Sequence, residues 1–103
     1  LAASGAAPSM SHDGRVIAFQ TQDDAISAID DNALLNLFAR DVEAGTTTLV
    51  SRPTGTGLTP QNASSFVPVV SGNGRYVAFE SDASNLTPDA NPAARDIFVR
   101  DLT

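Results

Sequence analysis

The chain has 103 residues, room for one modest domain with a core of limited size. Ten Asp and two Glu against six Arg and no Lys give a net charge of −6, which argues against nucleic acid or an anionic membrane as partner, because either needs a cationic patch. The absence of Cys excludes a disulfide framework, a thiolate zinc site and a thiol nucleophile, and no apolar run approaches the roughly 20 residues that span a bilayer.

Residues 1–7 are small and read as a linker or chain start; they share the small residues of a processed signal-peptide junction but lack its basic and apolar regions. A short first strand is predicted over 8–11, stopped by the turn His12-Asp13-Gly14, where Gly supplies a positive φ. Residues 15–20 follow with Val16 and Ala18 on one face and Ile17 and Phe19 on the other, the pattern of a strand covered on both sides. The stretch 21–36 is a long Asp-rich connection that could hold a helical turn. Residues 37–42 form a third strand, Glu43-Ala44-Gly45 a turn, and the Thr-rich 46–51 a fourth strand with the character of a solvent-facing edge. Residues 52–66, rich in Gly, Thr, Pro and Ser, read as a linker, after which strands are expected at 67–71, 75–81 and 96–102.

The second half repeats the first with a shift of 60 residues and no gap. Over 36 paired positions ten are identical: Pro8/Pro68, Ser11/Ser71, Gly14/Gly74, Arg15/Arg75, Ala18/Ala78, Phe19/Phe79, Ala33/Ala93, Phe38/Phe98, Arg40/Arg100 and Asp41/Asp101. Chance at average residue usage gives roughly two or three.

Ser11-His12-Asp13-Gly14-Arg15 and Asp96-Ile97-Phe98-Val99-Arg100-Asp101-Leu102 resemble the TolB-like, or PD40 (WD40-like), class of β-propeller repeat. The resemblance covers nearly the whole chain; Asn36 in place of Asp96, and Asn73 in place of Asp13, are its mild departures. It implies an all-β chain of two four-stranded antiparallel β-propeller blades, at 8–51 and 67–103, the second lacking its last strand. Two blades cannot close a ring, since propellers use about 4 to 8, so the chain is expected to be part of a longer propeller or of a ring completed by oligomerisation.

Candidate chemistry is sparse. His12 is the only side chain suited to base catalysis near neutral pH, and Ser11-His12-Asp13 forms a triad only as letters, because adjacent residues point in different directions. Glu80 and Asp82 could act as paired carboxylates, but Gln20 and Gln22 replace them in the first unit. Asp82, Asn85, Asp89, Asn91 and Asp96 concentrate oxygen ligands, and Asp89, Asn91 and Asp96 are the calcium candidates; the same residue types also cap turns. An EF-hand loop starting at Asp89 fails, with Ala93, Ala94 and Arg100 at a ligand position, the turn Gly and the bidentate Glu. Asn62-Ala63-Ser64 and Asn85-Leu86-Thr87 match the glycosylation pattern.

Arg40-Asp41 and Arg100-Asp101, whose side chains alternate to opposite faces, and Arg15/Arg75 after the turn are expected to form a ladder of acid and base linking strands or neighbouring blades, and the Ser11/Ser71 hydroxyls to satisfy a backbone group at the turn. The reading as a whole is a non-enzymatic, TolB-like module for protein interaction or scaffolding, bacterial and exported, with neighbouring blades or a protein as partner. The alternatives are the propeller portion of a larger peptidase or hydrolase, and a calcium-stabilised structural repeat.

Overall fold

A computed structural model describes residues 6–21, 34–52, 61–87 and 95–103. Within them lie seven strands: β1 (Ala6–Met10), β2 (Val16–Thr21), β3 (Asn36–Asp41), β4 (Thr46–Leu49), β5 (Ser65–Val70), β6 (Tyr76–Ser81) and β7 (Asp96–Asp101). They make two antiparallel sheets, one of four strands in the order β1-β2-β3-β4 and one of three in the order β5-β6-β7. The all-β class therefore holds. The helical turn considered for 21–36 falls almost wholly outside the described residues.

The strands stand within a residue or two of their predicted places, with one instructive difference. β1 starts at Ala6 and β5 at Ser65, earlier than the prolines suggest and, for β5, inside the stretch read as a linker. In both strands the register shifts at the same place, between Ala6 and Ser9 and between Phe66 and Val69. A bulge there takes Pro8 and Pro68 out of the ladder, so a residue without an N–H can sit inside a paired strand. Val67, at the second bulge, has φ 52°, a left-handed conformation that β-branched residues resist.

Each unit closes its first hairpin in the same way. Ser11 Oγ donates to Asp13 Oδ1 (2.8 Å) and accepts from Val16 N (3.1 Å), while Arg15 N donates to Asp13 Oδ1 (3.0 Å). Ser71, Asn73, Arg75 and Tyr76 repeat all three bonds, because an Asn side-chain oxygen accepts as an Asp oxygen does. Gly14 and Gly74 then turn the chain at φ 72° and 75°.

Strand alternation decides which residues meet between the sheets. Val16, Ala18, Leu37, Ala39 and Val50 come from one face of the first sheet; Val70, Val77, Phe79 and Phe98, with Ala83 and Leu86, come from the facing side of the second. All are buried and form one core. β5 lies against β1, β2 and β3. At one end of this junction a buried polar chain replaces the apolar contact. Gln61 Nε2 donates to Leu35 O (2.7 Å) and Asn36 Oδ1 (2.9 Å), and Ser65 Oγ bonds both Gln61 Oε1 and Ser81 Oγ. Each of these side chains is buried with a partner, which is what keeps such a site from being destabilising.

The two sheets thus meet by unlike faces. Phe79 and Phe98, stacked with ring centroids 5.7 Å apart, point into the junction, whereas their counterparts Phe19 and Phe38, 6.0 Å apart, lie on the far side of the first sheet.

Candidate functional site

The second sheet leaves one face open. Val69, Ala78 and Val99 lie in one cross-strand row, with Ile97 opposite Glu80 in the row to one side and Tyr76 opposite Asp101 in the row to the other. Ile97 is 72% and Val99 65% exposed, unusual for large apolar side chains standing side by side on a strand. The cause is local: β7 alternates strictly, so burying Phe98 on the inner face sends Ile97 and Val99 outward.

Charged groups frame this apolar strip at both ends. At one end Arg75 Nε and Nη2 bond Asp101 (2.9–3.3 Å), with the guanidinium 5.0 Å from the Tyr76 ring centre. Asp101 also accepts from Thr103 N and Oγ1, and the pair with Arg75 holds its carboxyl well below the ordinary carboxylate range. Arg15 and Asp41 make the same pin in the first sheet, where the backbone N–H of Ala44 is the leading cause of Asp41's lowered pKa. These pins are the cross-strand links expected of the recurring Arg and Asp residues.

At the other end Arg95 binds Asp82 Oδ1 (2.8 Å) and Oδ2 (3.1 Å) and Glu80 Oε1 (3.1 Å), and lies 4.2 Å from the Phe66 ring centre. Glu80 and Asp82 are therefore joined through a cation, and Asp82's pKa is lowered by its bond to Arg95. Arg95 was not singled out from the sequence. A signal existed: continuing the antiparallel pairing of Ser81 with Asp96 by one residue places 82 opposite 95.

Of the calcium candidates, Asp89 and Asn91 lie outside the described residues. Asp96 opens β7, half-buried and in register with Ser81. Among the described residues no three His, Cys, Asp or Glu side chains gather as a metal site would require. Asn85 Oδ1 accepts from Asn62 N (3.1 Å), and Asn62 in turn exchanges bonds with Ser84, so both sequon asparagines tie the start of one segment to the end of another.

Ser11, His12 and Asp13 do not form a relay, since the Ser11 hydroxyl is given to Asp13. His12 instead serves the junction. Its backbone N donates to Gly72 O (3.0 Å), and its ring lies so close that a methyl group at Gly72 would come within 3.1 Å of Cδ2. Arg100 is the other link: Nε donates to Val50 O (3.2 Å) and Nη2 to Arg52 O, carrying a charge from the second sheet to two carbonyls following the first. Burial lowers its pKa, with repulsion from Arg52 adding to that.

The chemistry offered by this arrangement is burial of a flat apolar partner between two ion-paired rims. No family model matches the chain, and neither does any curated protein.

Proposed function

We propose that the chain is two successive units of a β-propeller-type array, resembling TolB-like PD40 repeats, and that it serves as a non-enzymatic module for protein interaction or scaffolding. The packing of unlike faces carries this reading. Two like units that met through the same face would satisfy each other and stop at two; units that meet by unlike faces need not stop there. A stack of this type needs every sheet sandwiched between neighbours, and exposed Ile97 and Val99 lie where the next sheet would be. The bacterial, exported setting follows from the resemblance alone.

Residues 1–52 produced alone are expected to show no cooperative unfolding by circular dichroism, because one unit has nothing to cover Val16, Ala18, Leu37 and Ala39. A stably folded 1–52 segment would overturn the array reading. The non-enzymatic half is tested with generic ester, peptide and phosphomonoester substrates. Turnover that disappears on His12→Ala, which removes the only imidazole, would overturn it.

A further inference from the structure

We infer that β7 is an interface strand: two copies of this chain pair antiparallel along it, about a two-fold axis at Phe98, and join their second sheets into one. This goes beyond the array reading and does not depend on it, since it uses the edge of the second sheet and leaves the open face free. β7 ends the order β5-β6-β7, and among the described residues no strand lies on its other side. The first sheet approaches through β5, at the opposite edge. In the first unit the equivalent strand is covered, because β3 pairs with β4 over Phe38 to Asp41.

The backbone of β7 offers bonding groups on the uncovered side. Leu102 N donates to Arg75 O (2.7 Å), and alternate residues of an antiparallel ladder turn their N–H and C=O the same way, so Asp96, Phe98 and Arg100 face β6. Ile97, Val99 and Asp101 therefore turn theirs outward. The first unit has the same geometry in use: Val50 N donates to the carbonyl of Leu37, the counterpart of Ile97 (2.7 Å). β7 also lacks the proline, bulge or covering strand that protects an edge, and its register with β6 runs unbroken from Asp96 to Asp101.

The occupant is a second copy because residues 95–101, Arg-Asp-Ile-Phe-Val-Arg-Asp, are complementary to themselves. Antiparallel pairing with Phe98 opposite Phe98 sets Arg95 against Asp101, Asp96 against Arg100 and Ile97 against Val99. Every charge meets its opposite and every apolar residue an apolar one. Moving the axis to Ile97 sets Asp96 against Phe98, and moving it to Val99 sets Phe98 against Arg100. The faces agree as well: Phe98 stays on the inner face, and Ile97 and Val99, 72% and 65% exposed, shield one another on the outer. The matching stretch of the first unit has no such complementarity, since Leu35 would face Asp41 and Asn36 would face Arg40. Base and acid thus stand at 95 and 96 in the unit whose edge is uncovered, and are missing where β4 already occupies it. A patch that pairs with itself needs no second face and closes at two copies.

Analytical ultracentrifugation of the 103-residue chain tests this. With rising concentration, wild type should pass from a monomer of 10.7 kDa to a dimer of twice that mass and go no further. Val99→Pro removes an N–H that points away from β6, so the β6–β7 ladder should survive while the dimer is lost. Val99→Thr keeps that N–H and should still dimerise. Circular dichroism checks folding, and if Val99→Pro unfolds, amide exchange of wild type by NMR takes its place: the N–H groups of Ile97 and Val99 should lose protection on dilution to the monomer. Because the chain has no Cys, oxidation reports the register. Ile97→Cys and Val99→Cys should cross-link with each other in an equimolar mixture faster than either does with itself. A wild-type monomer at all concentrations, an assembly beyond the dimer, a folded Val99→Pro chain that still dimerises, amides of Ile97 and Val99 unaffected by dilution, or Cys variants that link to themselves as fast as to each other would each overturn the inference. A monomeric Val99→Thr chain would place the contact on the open face and overturn it too. The folding of the 1–52 segment, which tests the array reading, is independent of all these outcomes.

Discussion

Gly14 and Gly74 occupy the same place in their units with nearly the same backbone angle, yet only Gly74 is crowded. A Cβ on Gly74 would come within 3.0 Å of Val16 Cγ2, a buried atom in the core, whereas one on Gly14 would meet nothing nearer than Met10 Sδ at 4.0 Å. Gly14→Ala should therefore cost about 1 kcal/mol, the strain of a left-handed L-residue. Gly74→Ala should cost about 2–4 kcal/mol, since overpacking adds to the same strain. Urea midpoints of the two variants give the comparison, and equal losses would show that the turn of the second unit does not press on the first. Val67 presents the opposite case: its φ of 52° is strained for a β-branched side chain that is more than half exposed. Val67→Gly should raise stability by about 1 kcal/mol, the relief of strain exceeding the added freedom of the unfolded chain. A fall in the urea midpoint would contradict this.

At the scale of strands and sheets, Arg40 and Arg100 share a sequence position but have different work. Arg40 Nη1 donates to Thr47 Oγ1 across its own sheet (3.0 Å), and Arg100 reaches the other sheet's Val50 and Arg52 carbonyls. Arg100→Met should cost about 1.5–3 kcal/mol, because it removes two charged hydrogen bonds between the sheets, although Val50 O keeps the bond from Arg52 N (3.0 Å); Arg40→Met should cost about 1 kcal/mol or less. Equal losses in urea unfolding would show that Arg100 is not an inter-sheet clasp. The strands themselves were legible because alternation and a turn glycine mark them twice, once in each unit. The Ser–Asx–Arg–Asp pin was legible for the same reason. Arg95 and Gln61 were not, because their counterparts are Leu35 and Leu1 and comparison of the units discards them. The pairing of faces was also hidden: alternation divides β2 into Val16/Ala18 and Ile17/Phe19 without saying which side meets the other sheet. The Asp-rich loop drew attention through its composition, yet the described part of it is occupied by the Arg95 pairs and the Asn62–Asn85 ties.

For the whole molecule, the acidic composition and the ion pairs pull stability in opposite directions as pH falls. Asp13, Asp41, Asp82 and Asp101 all have pKa values below the ordinary 3.8 in the fold, chiefly because of backbone N–H donors for Asp13 and Asp41 and arginine for Asp82 and Asp101. Unfolded, they return to 3.8, so below that pH the unfolded chain binds more protons than the native one and stability drains away. The contribution is fully present above about pH 5 and is lost as pH falls through the lower native values. Neutralising carboxylates in a chain of net charge −6 also relieves repulsion, which favours the fold. A single acid titration mixes the two effects, but Asp101→Asn separates them, because it deletes the most strongly shifted group and leaves the other carboxylates in place. The variant should be less stable than wild type at pH 7, and the gap should narrow as pH falls from about 5 toward 2, because Asp101 then takes up a proton in the unfolded chain while Arg75 holds it ionised in the fold. Urea midpoints at intervals from pH 7 to 2 measure the gap; one that stays constant would mean that Asp101 contributes through packing or the Thr103 bonds and not through its charge on Arg75.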